Sequence, residues 1–214
     1  MAEDQSAPQT RLRATSYAVL GLLSFGQELS GFDMKRWADW SLKFFYWAPS
    51  YSQIYGELHK LEDLGLVASR LDENKDTQRK RGEREKRVYR ITAKGEQAVT
   101  AWTTEADPEP AVLKHGIMLR AWLGHTADPA KLREVVLAHR AQSERMRVLA
   151  LDHAEGAAPV PEWAYPVAVL NWSAQYYADE CARADTLLAE LDRLAAQRKR
   201  RVRRKKPPDG QAGR

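Results

Sequence analysis

Ser50–Leu66, SYSQIYGELHKLEDLGL, is the stretch whose reading decides the fold. Across Ser50–Leu64 a 3.6-residue period puts Tyr51, Ile54, Leu58 and Leu61 on one side, with Ser52, Gly56, His59 and Asp63 opposite and Gln53, Tyr55 and Lys60 on the flanks. Gly65 stands where a left-handed residue ends a helix. At 1.5 Å per residue this helix is ~22 Å long, enough to lie across a major groove. Two strand-like runs follow, VASR at 67–70 and RVYRIT at 87–92, around the charged segment LDENKDTQRKRGEREK at 71–86. Such a hairpin can carry its basic tip to a phosphate backbone beside a helix seated in the groove.

Working outward, Thr15 or Ser16 is expected to cap a first helix running through Phe25, with Tyr17, Val19, Leu20 and Leu23 as its apolar face. Ser30 is expected to cap a second, with Asp33 completing a short capping box. That helix carries Phe32, Met34, Trp37 and Trp40 and must stop before Pro49. Thr92 caps a fourth helix with Trp102 on its apolar side, and the prolines of 106–110, ADPEP, mark a boundary. Beyond it, helices are expected over 111–123, 129–152 and 165–196. In the last, Leu170, Tyr177, Ala184 and Leu191 recur every seven residues beside Ala174, Cys181 and Leu188. A face this wide needs another surface to cover it, and a partner subunit is the expected source.

The architecture expected is mainly α with a small β hairpin: a winged helix-turn-helix over 13–105, a helical dimerisation domain over 106–197, and a basic, disordered tail over 198–214. A chain of 214 residues, 43% apolar, can bury a core in each of two such domains. Its net charge of +5 is concentrated in Arg79–Arg90 and Arg198–Lys206, a placement that favours a polyanionic partner. The single cysteine, Cys181, has no internal disulfide partner. No apolar run reaches the ~18 residues of a spanning helix, and the N-terminal MAEDQSAPQTRLR lacks a signal peptide's hydrophobic region. A cytoplasmic protein without a membrane partner is therefore expected.

Three phrases, TSYAVLGLLSFGQELSGFDMKR at 15–36, YSQIYGELHKLEDLGLVASR at 51–70 and RVYRITAKGEQAV at 87–99, resemble the PadR family of bacterial transcription regulators in content, order and spacing. The helical segment after Pro110 resembles the longer PadR subgroup, whose C-terminal domain pairs two subunits. The resemblance implies a homodimeric repressor of the kind released from DNA by a small, often aromatic, ligand. It assigns 51–64 to the recognition helix and 66–92 to the wing. The wing departs from the family in its length and charge, NKDTQRKRGEREKR at 74–87.

The DNA-binding residues expected on the helix are Tyr51, Ser52, Gln53, Tyr55, His59 and Lys60. Hydroxyls there can donate to phosphates, and Gln53 can pair bidentately with adenine. Those expected on the wing are Arg79, Lys80, Arg81, Arg84, Lys86 and Arg87, as phosphate contacts. Gly56 costs about 1 kcal/mol against alanine in mid-helix, so it serves close approach to a duplex, close packing with another helix, or a bend. The aromatic residues fill helix contacts or line an effector cavity between the two domains. The five histidines show no HExxH-like spacing, the glycines no phosphate-cradling pattern and the cysteine no nucleophile context, so no enzyme, cofactor or metal site is expected. Two functions remain: a ligand-responsive repressor, or an effector-independent architectural DNA-binding protein.

Overall fold

The computed structural model describes residues 12–72, 87–107, 110 and 113–205, in two units that divide at Glu109 and Pro110. The first unit runs α1 (Ala14–Leu23), β1 (Leu29–Ser30), α2 (Gly31–Trp40), α3 (Tyr51–Asp63), β2 (Val67–Leu71), β3 (Arg87–Ile91) and α4 (Ala93–Thr104). Its sheet has the order β1-β3-β2, all antiparallel, with Val67 opposite Ile91, Leu71 opposite Arg87, and Leu29 opposite Tyr89. This is a winged helix-turn-helix: α1, α2, α3 and the β2–β3 hairpin around one core, with β1 on the edge of the hairpin and α4 packed against α1.

Capping sets where the helices begin. Ser30 Oγ accepts from the Asp33 amide at 3.2 Å while Asp33 Oδ2 accepts from the Ser30 amide at 3.1 Å, the reciprocal box that starts α2. Thr92 Oγ1 accepts from the Gly95 amide at 3.1 Å and starts α4. α1 differs from expectation: it begins after Arg13 with no side-chain cap. Ser16 is instead buried, because its hydroxyl is needed by a residue of α3 described below. Gly65 ends α3 at φ 69°, the left-handed geometry its position required.

The core joins Val19, Leu20 and Leu23 of α1, Met34 and Ala38 of α2, Ile54, Leu58 and Leu61 of α3, and Val67 and Tyr89 of the hairpin. The three α3 side chains are fully buried, each worth roughly 1.5–3 kcal/mol of apolar burial. Tyr51 does not join them, since the first turn of α3 lies beyond the core and its ring stacks on the exposed Phe32, centroids 6.3 Å apart. Trp102 of α4 lies flat against Tyr17 of α1 at 4.6 Å. At Gly95, a Cβ would stand 2.3 Å from the Leu66 carbonyl oxygen, so α4 can cross the hairpin base only with glycine there.

The second unit contains α5 (Gly116–Trp122), α6 (Pro129–Ala157) and α7 (Ala164–Lys205). α5 is shorter than the 111–123 expected, because His115 acts as its cap and accepts from the Met118 amide at 3.3 Å. α6 passes the expected end at Asp152, with Ala150, Ala154 and Ala157 buried along it. α7 continues to Lys205, into the segment expected to be a disordered tail; arginine and lysine are good helix formers and extend a helix already begun. Residues 206–214 of that tail lie outside the described residues. The two seven-residue rows of α7 meet α6 of the same chain: Leu170, Ala174, Cys181, Ala184 and Leu188 are all buried. Among the described residues, no helix is long and apolar enough to cross a membrane.

One buried charge lies inside this helical unit. Glu180 of α7 is 7% exposed, and its Oε1 accepts from His115 Nε2 at 2.7 Å and His139 Nε2 at 2.9 Å. Burial works to raise its carboxyl, but the hydrogen bonds from His139 and His115 outweigh that and hold it below the ordinary carboxylate value. Sequence spacing leaves these histidines unconnected; the packing of three helices brings them together.

Candidate nucleic-acid interface

α3 starts at a capping box of its own: Ser50 Oγ accepts from the Gln53 amide at 3.3 Å, and Gln53 Oε1 accepts from the Ser50 amide at 2.8 Å. This engages the carbonyl end of Gln53. Bidentate pairing with adenine needs both the carbonyl and the amide of the side chain, so that contact would open the box. The Gln53 amide group is the part directed by this cap to serve as a donor.

Along the rest of the helix, Ser52, Gln53, Tyr55, Gly56, His59 and Asp63 are all exposed. A Cβ built on Gly56 meets nothing within 4 Å, which removes close packing within the chain as the reason for glycine there. Close approach by something outside the chain remains, together with a local bend. Gly31, at the start of α2, explains Tyr55: a Cβ on Gly31 would stand 2.5 Å from the phenol ring. The ring therefore lies against the N-terminus of α2 with 41% of its surface exposed, tying the two helices of the motif together.

Lys60 is held from behind. Its Nζ donates to Ser16 Oγ at 3.0 Å, Ser16 Oγ donates to Glu57 Oε2 at 2.7 Å, and Lys60 Nζ lies 3.7 Å from Glu57 Oε2. This network pins α3 to α1 and fixes the rotation of α3 about its axis. It also offsets much of the Lys60 charge, so the residue offers an approaching phosphate less than a free ammonium would. Ser16 and Glu57 carried no signal in sequence, being 41 residues apart.

On the wing, Arg87 is exposed and one guanidinium nitrogen donates to Ser69 Oγ at 3.0 Å. Arg70 on the neighbouring strand is paired to Glu28 through both Nε, at 3.0 Å, and Nη2. The hydrogen bond from Arg70 holds the Glu28 carboxyl below its ordinary range, although the exposed pair is worth little to stability. Arg79, Lys80, Arg81, Arg84 and Lys86 lie outside the described residues. The described site thus unites an exposed, polar helix face, centred on an unobstructed glycine, with a hairpin bearing Arg87 and Arg90 on its exposed positions.

Residues 19–101 match the profile of the transcriptional regulator PadR-like family. The chain is 37% identical over 111 residues to the negative transcriptional regulator PadR of Bacillus subtilis (strain 168), an alignment covering 52% of this chain and 57% of that one. This chain thus spans somewhat over half the length of that curated relative. Bacillus subtilis PadR in complex with operator DNA is similar in structure, with TM-score 0.64 and 25% identity over 84% of this chain and 99% of that one. Its complex with p-coumaric acid gives TM-score 0.62 and 24% identity over 84% and 99%. The Vibrio cholerae virulence activator AphA shares the fold, with TM-score 0.63 and 20% identity over 84% and 99%.

Proposed function

From the premise that this chain belongs to the PadR-like family of transcriptional regulators, we propose that it is a homodimeric, sequence-specific DNA-binding repressor acting in the cytoplasm. α3 enters the major groove, with Ser52, Gln53, Tyr55 and His59 toward the base edges and Tyr51 and Lys60 at the rim. The wing bases Arg79, Lys80, Arg81, Arg84, Lys86 and Arg87 meet the phosphate backbone. The observation that carries this reading is Gly56, which stands in open space at the middle of the exposed face of α3 and gives a duplex backbone-close access.

Two copies related by a twofold axis would place two such helices on half-sites about 34 Å apart, one turn of DNA. Repression is favoured because the relative with 37% identity is a negative regulator and bound dimers can block a promoter without a second activating surface. The AphA likeness concerns the fold alone. A small aromatic or apolar effector that releases the DNA is the second part of the proposal, supported by the p-coumaric acid complex of Bacillus subtilis PadR. An effector must prefer the unbound form; a hundredfold preference is worth about 2.7 kcal/mol.

The test is operator binding over a salt series, by fluorescence anisotropy on selected duplexes. Replacing Ser52 and Tyr55 should reduce operator affinity selectively, whereas neutralising Arg79, Lys80 and Arg81 should reduce operator and random-duplex affinity together and flatten the salt slope. Equal affinity of the Ser52 and Tyr55 variants for the operator would remove α3 from the groove. A reporter that rises when the protein is added would reverse the sign of regulation, and an operator affinity unmoved by every aromatic acid that binds would leave the effector-independent reading.

A further inference from the structure

Three donor atoms from three helices converge in the C-terminal unit, and hydrogen bonding alone makes poor use of them. His115 Nε2 and His139 Nε2 both turn to one oxygen of Glu180, while its Oε2 has Arg183 Nη1 at 3.5 Å. The two imidazole rings meet edge to face at 5.2 Å. The three donors lie within 4.8 Å of one another, and all three residues border a cavity of about 390 Å³.

We propose that His115 Nε2, His139 Nε2 and Glu180 Oε1 form a binding site for one divalent transition-metal ion of the zinc type. Two imidazole nitrogens and a carboxylate oxygen are a donor set zinc accepts, with bonds of about 2.0–2.2 Å. Tetrahedral donors at that distance stand about 3.3 Å apart, so the two hydrogen-bonded contacts need open by only about half an ångström. The long helices α6 and α7 hold His139 and Glu180, and the short α5 supplies the ligand that adjusts. A fourth position faces the cavity, where water or a ligand group completes the shell, as at open zinc sites. Arg183 on Oε2 steadies the carboxylate from outside the shell.

Binding carries a defined cost in the surrounding structure. His115 Nδ1 accepts from the Met118 amide, so the ring now carries its proton on Nε2. Metal on Nε2 moves that proton to Nδ1, and Met118 N then faces a second donor in place of an acceptor. The ion therefore exchanges the cap of α5 for a tether from α5 to α6 and α7.

The test uses the full chain without a histidine tag and Zn2+ in competition with a chromophoric chelator. One ion per chain should bind, and His139→Ala and Glu180→Gln should each weaken binding at least tenfold, while His59→Ala and His125→Ala leave it unchanged. The amide resonance of Met118 should shift on Zn2+ addition in the unmodified chain and not in Glu180→Gln. Co2+ in the unmodified chain should give visible bands of the intensity of four- or five-coordination, saturating at one ion, which decides the matter even if a variant fails to fold. No saturable Zn2+ at micromolar free metal, affinity unmoved by both variants, or weak six-coordinate Co2+ bands would each overturn the site. DNA binding is not a readout, so the outcome is separate from the repressor reading.

Discussion

α3 and α7 each turn one face outward, and the chemistry of the two faces is opposite. The outward face of α3 is small and polar, Ser52, Gly56, His59 and Asp63, with Ile54, Leu58 and Leu61 consumed by the core of its own unit. That of α7 carries Tyr165, Val169, Trp172 and Tyr176 along one stripe, Tyr165 at 86% and Trp172 at 61% exposure, and α5 adds Trp122 at 75%. The first surface is complete in water and suits a hydrated polyanion. The second is unfinished: a row of exposed aromatic side chains is costly to leave in water and suits another protein surface. The seven-residue rows that suggested a partner subunit are spent on α6; the aromatic stripe beside them is what a second copy would cover.

Breaking the second surface should have the largest effect. Replacing Trp122 and Trp172 together by Glu should weaken dimerisation at least a hundredfold, since buried aromatic anchors contribute about 2 kcal/mol or more each. Sedimentation velocity at micromolar concentration checks this, and a variant that stays dimeric would move the interface elsewhere. Breaking the first surface comes next. Gly56→Leu should lower operator affinity by about a hundredfold while raising stability by up to about 1 kcal/mol, because glycine is the poorer helix former and its Cβ position is empty. Urea unfolding and anisotropy on the same sample separate the two, and unchanged affinity would dissolve the contrast. Gly95→Ala should do the reverse, costing about 1–3 kcal/mol through its clash with the Leu66 carbonyl while operator affinity of the folded fraction holds. The smallest effect belongs to Gln53→Glu: a carboxylate keeps the capping box, so stability should stay within about 0.5 kcal/mol, while loss of the amide donor and the added negative charge cost about tenfold in operator affinity.

Local signals were readable and long-range ones were not. The boxes and caps at Ser30 and Thr92, the turn at Gly65 and the hairpin strands follow from spacings of a few residues, and the structure has them where expected. The Ser50–Gln53 box uses the same spacing as Ser30–Asp33, but Gln53 also fits the chemistry of a base contact, so spacing alone does not bring out its capping role. β1 is two residues long and has no period to detect. The Ser16–Glu57–Lys60 network and the His115–His139–Glu180 cluster join residues 24 to 65 positions apart, through helix packing that no local pattern encodes. Tyr51 shares the period of Ile54, Leu58 and Leu61, and only the limited extent of the core leaves it outside and exposed, as a DNA-contacting residue must be.

Arg140 pairs with Asp185 and Arg133 with Asp192, so α6 and α7 run antiparallel with a step of seven residues on each. Past the second pair α6 has four residues left and α7 has thirteen. One continuous helix of ~63 Å is therefore zoned along its length. In hydrogen–deuterium exchange, the amides around Leu170–Leu188 should be released only with opening of the whole unit. Those past Asp192 should exchange in a progressively faster series toward the end, each turn opening alone, so that a single element reports both the global and the most local unfolding of the chain.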